Sequence, residues 1–335
     1  MAKIGVLGAG TWGIALARML ANTGHTVTVW SAHSIDKLSE SRKHPKLGGM
    51  EIPESIVLTK ALGSACRKQD LLMVAVPSVY VRQVVGQAAP FIPDGQLIVE
   101  VSKGIEPDSL LTMTELIADE LSKAEVPKKA RLVALSGPTH AEEVAKDMPT
   151  AIVSASSDLQ AAEQVQNIFM NTCMRVYTNA DARGVELSGA FKNIVALASG
   201  ISTGLGHGDN AKAAIITRGL AELTRLGVAM GCDAATFSGL AGVGDLIVTA
   251  TSEHSRNNRA GYLIGKGRTA AEAVEQVGMV VEGINALPAV MELSKRYAVE
   301  LPIAEAVNAI VKEGAEPAEV VHQLMTRDKK DEAWV

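Results

Sequence analysis

Lys192 stands in the middle of residues 186–198, a stretch that is apolar or small at most positions. Such a stretch belongs inside a protein. A lysine there snorkels out to water, pairs with a carboxylate, or loses affinity for its proton through desolvation. In the last case it suits general acid and base work on a carbonyl/alcohol pair. Gly189, Ala190 and Ala196 leave room beside it for a ligand. Asp245 lies among glycines in 241–246, and reads either as a helix cap or as a partner for the Lys192 ammonium or a substrate hydroxyl. Ser255, Arg256 and Asn257 open a helical pattern, with Ser255 suited to the N-cap. Backbone N–H groups and a guanidinium at such a start form a phosphate site. The alternative is a capped, solvent-facing helix end. Lys103 follows an apolar run beside Gly104, and is either a solvated loop lysine or a cation that meets substrate oxygen. Gly137-Pro138 makes a rigid turn, after which Thr139 reads as the cap of a helix at Ala141, as a ligand contact, or as both.

These groups need a scaffold. Ile4-Gly5-Val6-Leu7 is long enough for a strand and feeds into Gly8-Ala9-Gly10-Thr11-Trp12-Gly13, followed by good helix formers at 14–21. Strand, Gly-x-Gly-x-x-Gly turn and helix together are the setting of a dinucleotide site. Gly8 permits the tight turn, Gly10 lets a pyrophosphate approach the backbone, and Gly13 lets the helix lie close on the strand. The second strand, 27–30, runs into Ser31-Ala32-His33-Ser34, with no acid before Asp36, which suits the opening of the next helix. An acid at that strand end grips the ribose 2′-OH of NAD and repels a 2′-phosphate. Its absence makes NADPH acceptable, with His33 and Ser34 as hydrogen-bonding groups, so NADPH is expected to serve at least as well as NADH.

Apolar runs at 71–76, 97–101, 132–135, 151–153 and 174–177 alternate with helical stretches such as 79–89 and 109–122. This predicts a doubly wound parallel sheet, with ligands outside the carboxyl ends of its strands. Lys103, Gly137 and Thr139 fall at such ends. Near Arg183 the pattern turns helical, apart from an ambiguous apolar piece at 246–248. The expectation is a domain over 1–182 and a second over 183–335. Helices are expected at 211–230, 288–297, 303–312 and 316–325, a loop at 44–49, a strand or loop at 278–283, and a frayed tail at 327–332.

The chain has 335 residues, enough for two cores, and its 47% apolar and 21% charged residues are an ordinary globular balance. A net charge of −5 gives no support to a nucleic-acid surface or a polybasic membrane anchor. Three widely spaced cysteines without a CxxC pair suggest thiols in a reducing compartment. No histidine falls in metal-ligand spacing, and His207, in a Gly-rich loop, reads as incidental. No leader or membrane-spanning run is apparent. The expectations are a cytoplasmic enzyme, no metal, no nucleic acid, no membrane insertion, and a homodimer favoured by small-residue helices.

Seven pieces after the glycine turn carry a family resemblance: SKGIE at 102–106, SGPTHA at 136–141, LSGAFKNIVALASG at 187–200, ITRGLAE at 216–222, GLAGVGDL at 239–246, SRNNR at 255–259 and VVEG at 280–283. With them the chain resembles bacterial NAD(P)-dependent glycerol-3-phosphate dehydrogenases along essentially its full length. The resemblance implies a Rossmann-type N-terminal domain with an all-α C-terminal domain. It implies reversible reduction of dihydroxyacetone phosphate to sn-glycerol 3-phosphate by NADH or NADPH, feeding phospholipid synthesis. It makes Lys192 the proton donor and acceptor. Lys103, Gly137, Thr139, Lys192, Asp245, Ser255, Arg256 and Asn257 would hold substrate. Gly8, Gly10, Thr11, Trp12, Gly13, His33, Lys103, Ala141, Arg256, Val280 and Glu282 would touch the cofactor. Two positions depart from the family pattern: Ala32-His33 stands where many members carry arginine, and His140 replaces the usual aromatic. The rival enzyme reading is a β-hydroxyacid dehydrogenase acting on a carboxylate, which pairs similar domains and a lysine. A dinucleotide-binding redox sensor without turnover is a further alternative, but needs neither Lys192 nor a second anion site.

Overall fold

The computed structural model describes residues 1–329, 331 and 332, so the tail expected at 327–332 falls partly outside the described residues. The chain divides into two units: Met1–Lys103 with Leu111–Ala182, and Gly104–Leu110 with Arg183–Val335.

The first unit is organised by ten strands: β1 (Lys3–Leu7), β2 (Thr26–Trp30), β3 (Lys43–His44), β4 (Met50–Glu51), β5 (Val57–Thr59), β6 (Leu71–Val74), β7 (Gln96–Glu100), β8 (Ala130–Ser136), β9 (Thr150–Ala155) and β10 (Met174–Asn179). Its helices are α1 (Thr11–Asn22), α2 (Ile35–Ser41), α3 (Leu62–Cys66), α4 (Val81–Ala88), α5 (Met113–Ser122), α6 (Ala141–Val144) and α7 (Leu159–Phe169). Eight strands form one sheet in the order β10-β9-β8-β7-β6-β1-β2-β5. β6 and β7 are buried at every position, as strands covered on both faces must be. β1 pairs in parallel with both β2 and β6, so the strand order reverses at β1. That reversal opens the crevice where such sheets take ligands.

The sheet is parallel except at β8 and β9, which pair antiparallel. The link between them holds only the four-residue α6, too little helix to carry the chain back across the sheet. Two further features are absent from the sequence pattern. The segment expected as a loop at 44–49 turns between β3 and β4, an antiparallel pair joining Lys43 to Glu51 and His44 to Met50. The short β5 adds an edge strand beside β2. The Arg18 guanidinium donates twice to Asp147, at 2.9 Å each, tying α1 to the chain after α6. The cysteines form no disulfide, and burial pushes the Cys66 thiol up to about 12, which keeps it protonated and inert.

The second unit is helical: α8 (Ala182–Gly204), α9 (Asp209–Ala229), α10 (Ala234–Phe237), α11 (Asp245–Thr251), α12 (Arg256–Gly265), α13 (Ala270–Val277), α14 (Glu282–Tyr297), α15 (Pro302–Glu313) and α16 (Pro317–Met325). Residues 246–248 lie inside α11, so the ambiguous strand is helix. In 278–283, Gly278 ends α13 in the left-handed region at φ +64°, Val281 precedes the next helix, and Glu282 opens α14. That helix starts well before Pro288, which lies inside it and forgoes one backbone bond. The window Ala234–Thr251 is apolar and long enough to span a membrane by composition, but it is split between α10, a π-helical turn (Leu240–Gly244) and α11.

α8 and α12 cross backbone to backbone. A Cβ on Gly200 would lie 2.1 Å from the Asn258 carbonyl oxygen, and one on Gly261 would lie 2.1 Å from that of Leu197. Gly204 and Gly265 repeat the arrangement one turn on, against the Tyr262 and Ile201 carbonyls at 2.4 and 2.3 Å. Glycine at these four positions lets two helices approach closer than side chains allow.

Glu222, 2% exposed on α9, accepts from the N–H groups of Ile303 (2.6 Å) and Ala304 (3.2 Å) in the first turn of α15. Burial nevertheless dominates and pushes its carboxyl up to about 7, partly countered by those N–H groups and by Arg225. A carboxyl whose folded pKa lies above its unfolded value adds stability below the unfolded value and loses it as pH rises through the folded one. The shift from 4.5 to about 7 corresponds to a span on the order of 3 kcal/mol. Glu222→Gln should therefore gain stability relative to the unsubstituted protein as pH rises from about 5 to about 8. Urea midpoints measured across that range check this, and a constant difference would contradict it.

Candidate active site

The glycine turn has the backbone geometry expected of a pyrophosphate seat. Gly8 has φ +124°, a left-handed conformation, and a Cβ there would meet the Ala75 carbonyl oxygen at 2.4 Å. A Cβ on Gly13 would meet the Gly8 oxygen at 2.2 Å, so α1 can lie this close only with glycine there. Gly10 is different, because a Cβ there would meet nothing within 4 Å, which leaves its face open to an incoming group. Gly10 is also the N-cap of α1 and supplies no side-chain cap. The first helical bond runs from the Ile14 N–H to the Gly10 carbonyl, at 3.0 Å. The N–H groups of Thr11, Trp12 and Gly13 precede that bond and point toward the N-terminal end of the helix dipole. An anionic dinucleotide fits this cradle.

Three predicted residues of the first unit come together. The Lys103 ammonium donates to the Gly137 carbonyl at 3.1 Å and to the Thr139 hydroxyl at 3.5 Å. The turn carrying Lys103 is pinned by the Ser102 hydroxyl, which donates to the Val76 carbonyl at 2.6 Å, and by the Ser102 N–H, which donates to Glu100. Thr139 is not a helix cap. His140 occupies the N-cap of α6, and the Thr139 hydroxyl donates back to the Gly137 carbonyl at 3.1 Å. The hydroxyl thus lies on the ammonium side of the turn. Ala141 begins α6. His33 is exposed on the turn after β2.

In the second unit the alternatives for Lys192 resolve into a buried pair. Lys192 is 5% exposed and Asp245 is fully buried. The ammonium donates to Asp245 Oδ1 at 2.6 Å and to Thr249 Oγ1 at 2.7 Å. Thr249 in turn donates to the Asp245 backbone carbonyl at 2.7 Å, one turn back in α11. Thr249 is a member of the cluster that the sequence reading missed. Its spacing of four from Asp245 places both on one face of α11, a relation hidden in the sequence by the ambiguous apolar piece at 246–248 between them. α11 is held in place by its Ala250 carbonyl, which accepts from Ser199 of α8 and Asn258 of α12, both at 2.9 Å.

The expected phosphate corner is formed as a helix start. Ser255 is the N-cap of α12 and accepts from the Asn258 N–H at 3.2 Å. Arg256 and Asn257 occupy the first turn. The Arg256 guanidinium donates to the Val280 carbonyl at 3.2 Å, which brings Arg256, Val280 and Glu282 of the α14 start into one neighbourhood. The Asn257 side chain is a strut: it donates to Asn193 Oδ1 and accepts from the Gly283 N–H, both at 2.9 Å. Asn193, next to Lys192, donates onward to the Gly189 carbonyl at 3.1 Å. A Cβ on Gly283 would strike the Asn193 carbonyl oxygen at 2.5 Å. Asn193 and Gly283 were not among the predicted site residues. Only the fold shows that they lock the lysine helix to the arginine helix. Among the described residues, no group of three or more His, Cys, Asp or Glu is placed to hold a metal ion. His207 is engaged locally, with its Nδ1 3.1 Å from the Ser202 hydroxyl.

Residues 3–162 match the family model for the N-terminus of NAD-dependent glycerol-3-phosphate dehydrogenase, and residues 181–322 match the model for its C-terminus. A glycerol-3-phosphate dehydrogenase (NAD(P)+) of Lactobacillus delbrueckii subsp. bulgaricus is 62% identical over 334 residues, covering 99% of each chain. One from Bacillus subtilis is 49% identical, covering 99% of this chain and 96% of the relative. The crystal structure of glycerol-3-phosphate dehydrogenase from Coxiella burnetii superposes with a TM-score of 0.92 at 35% identity, covering 97% of this chain and 99% of that one. A buried lysine–aspartate pair, a glycine-turn cradle and matches of this extent lead to one conclusion: the chain belongs to the NAD(P)-dependent glycerol-3-phosphate dehydrogenase family.

Proposed function

We propose that the protein reversibly reduces dihydroxyacetone phosphate to sn-glycerol 3-phosphate. NADH or NADPH, held on the Gly8–Gly13 turn, supplies the hydride. Lys192 gives a proton to the carbonyl oxygen as the carbon takes the hydride, and takes it back in the reverse direction. Asp245 and Thr249 keep the amine in one orientation, which a lone lysine with four rotatable bonds would not hold. Lys103, braced by Gly137 and Thr139, stabilises negative charge as it develops on the substrate oxygen. The α12 start takes the phosphate through its backbone N–H groups and Arg256. Binding at this remote group orients the carbon that reacts. Thr11, Trp12, His33, Ala141, Val280 and Glu282 are the remaining proposed cofactor contacts.

The Lys192–Asp245–Thr249 cluster carries this reading. A buried ammonium held by two short bonds is kept in one position, as a proton donor to a bound substrate must be. The Ser255 helix start favours a phosphate over the bare carboxylate of a β-hydroxyacid. The cytoplasm is the proposed site of action, supported by three cysteines that form no disulfide, and supply of glycerophospholipid synthesis is the proposed role.

The test is oxidation of NADH or NADPH with dihydroxyacetone phosphate, set against oxidation of 3-hydroxy acids in the reverse direction. Turnover confined to the phosphate ester is expected, and turnover confined to the hydroxy acids would overturn the reading. Lys192→Met should leave cofactor binding intact and lower kcat by on the order of 10² or more. Near-normal turnover would remove the lysine from its role. Arg256→Ala should raise KM for dihydroxyacetone phosphate by about tenfold or more, the loss of one charge-assisted contact. An unchanged KM would leave the α12 start as a plain capped helix.

A further inference from the structure

The cofactor-selecting position of a dinucleotide fold is the carboxyl end of the second strand, where an acid binds the ribose hydroxyls of NAD. Here β2 ends at Trp30, and the following turn offers the hydroxyls of Ser31 and Ser34, which bond each other at 3.0 Å. The first carboxylate, Asp36, lies in the opening turn of α2. Its Oδ2 is held at 2.5 Å by the ammonium of Lys60.

Lys60 directly follows the neighbouring strand. β5 pairs in parallel with β2, with Thr59 opposite Trp30, so the residue after Thr59 stands beside Ser31 at the carboxyl edge of the sheet. The backbone is fixed there: the Trp30 indole N–H donates to the Lys60 carbonyl at 3.0 Å, and the Ser31 N–H donates to that of Thr59 at 3.4 Å. The side chain remains exposed, at 55%, as does that of Asp36, at 67%. An exposed ion pair of this kind adds little stability and gives up its partner readily. A phosphate dianion offers the same ammonium more charge and three acceptor oxygens.

We propose that Lys60 is the cofactor-selecting residue of this chain: its ammonium leaves Asp36 for the 2′-phosphate of NADPH, beside the hydroxyls of Ser31 and Ser34. While it stays on Asp36 it neutralises the one carboxylate of this turn that would repel that phosphate. The proposal rests on the reading of the Gly8–Gly13 turn as a dinucleotide seat.

Calorimetric titration with adenosine 2′,5′-bisphosphate and with adenosine 5′-monophosphate tests it without turnover. The unsubstituted protein should bind the bisphosphate about tenfold more tightly or better, the effect of one charge-assisted contact. Lys60→Gln should erase most of that ratio and leave monophosphate affinity within about twofold. Asp36→Asn, which releases the ammonium, should tighten bisphosphate binding and leave the monophosphate unchanged. The same pattern is expected for the dissociation constants of NADPH and NADH. A bisphosphate-to-monophosphate ratio that Lys60→Gln leaves unaltered overturns the assignment of Lys60 alone. Failure of the unsubstituted protein to bind either nucleotide, NADH or NADPH overturns the dinucleotide reading beneath it.

Discussion

The second unit depends on keeping one ammonium and one carboxylate out of water. Moving two charges into a protein interior costs several kcal/mol per ion, and attraction offsets this only with good geometry and additional hydrogen bonds. Lys192 and Asp245 meet at 2.6 Å, and Thr249 completes the set by accepting from the ammonium while donating to the backbone of α11. α8 is buried on nearly every side, so the lysine cannot swing to solvent. The arrangement gives the amine one position, as the proposed proton donor requires.

The surrounding structure maintains that arrangement through close backbone approach. Gly200, Gly204, Gly261 and Gly265 allow α8 and α12 to touch main chain to main chain. Gly283 allows the start of α14 to reach the Asn193 carbonyl, and the Asn193–Asn257 amide pair joins all three helices. The proposed proton donor on α8 and the proposed phosphate site on α12 are therefore parts of one rigid assembly. A displacement of either helix would move both, so the charged groups are embedded among residues with almost no side chain.

The first unit answers a different demand, that of offering an anion unsatisfied donors without a competing side chain. Gly10 serves as N-cap without capping, and its face is open. At the neighbouring edge of the sheet, a cation just after β5 stands against an acid from α2. That edge is where the sequence was least informative. Val57–Thr59 is too short to stand out as an apolar run, and Lys60 sits 24 residues from Asp36 along the chain. Nothing in local spacing relates two residues that only strand pairing brings together.

The glycine turn, the buried stretch around Lys192, the Ser255 cap and the alternating runs of the sheet were legible in the amino-acid sequence, because each depends on local patterns. Gly-x-Gly-x-x-Gly dictates its own turn, apolar periodicity dictates burial, and a serine before a helical run dictates a cap. The tertiary structure alone decided which carboxylate met Lys192, that Thr249 joined them, that Asn257 became a strut, and that His140 rather than Thr139 preceded α6. It alone reversed β9, because a link with one turn of helix could not support a crossover. These outcomes rest on contacts between residues far apart in the chain, whose partners are chosen by packing distance and by the need to satisfy every buried polar group.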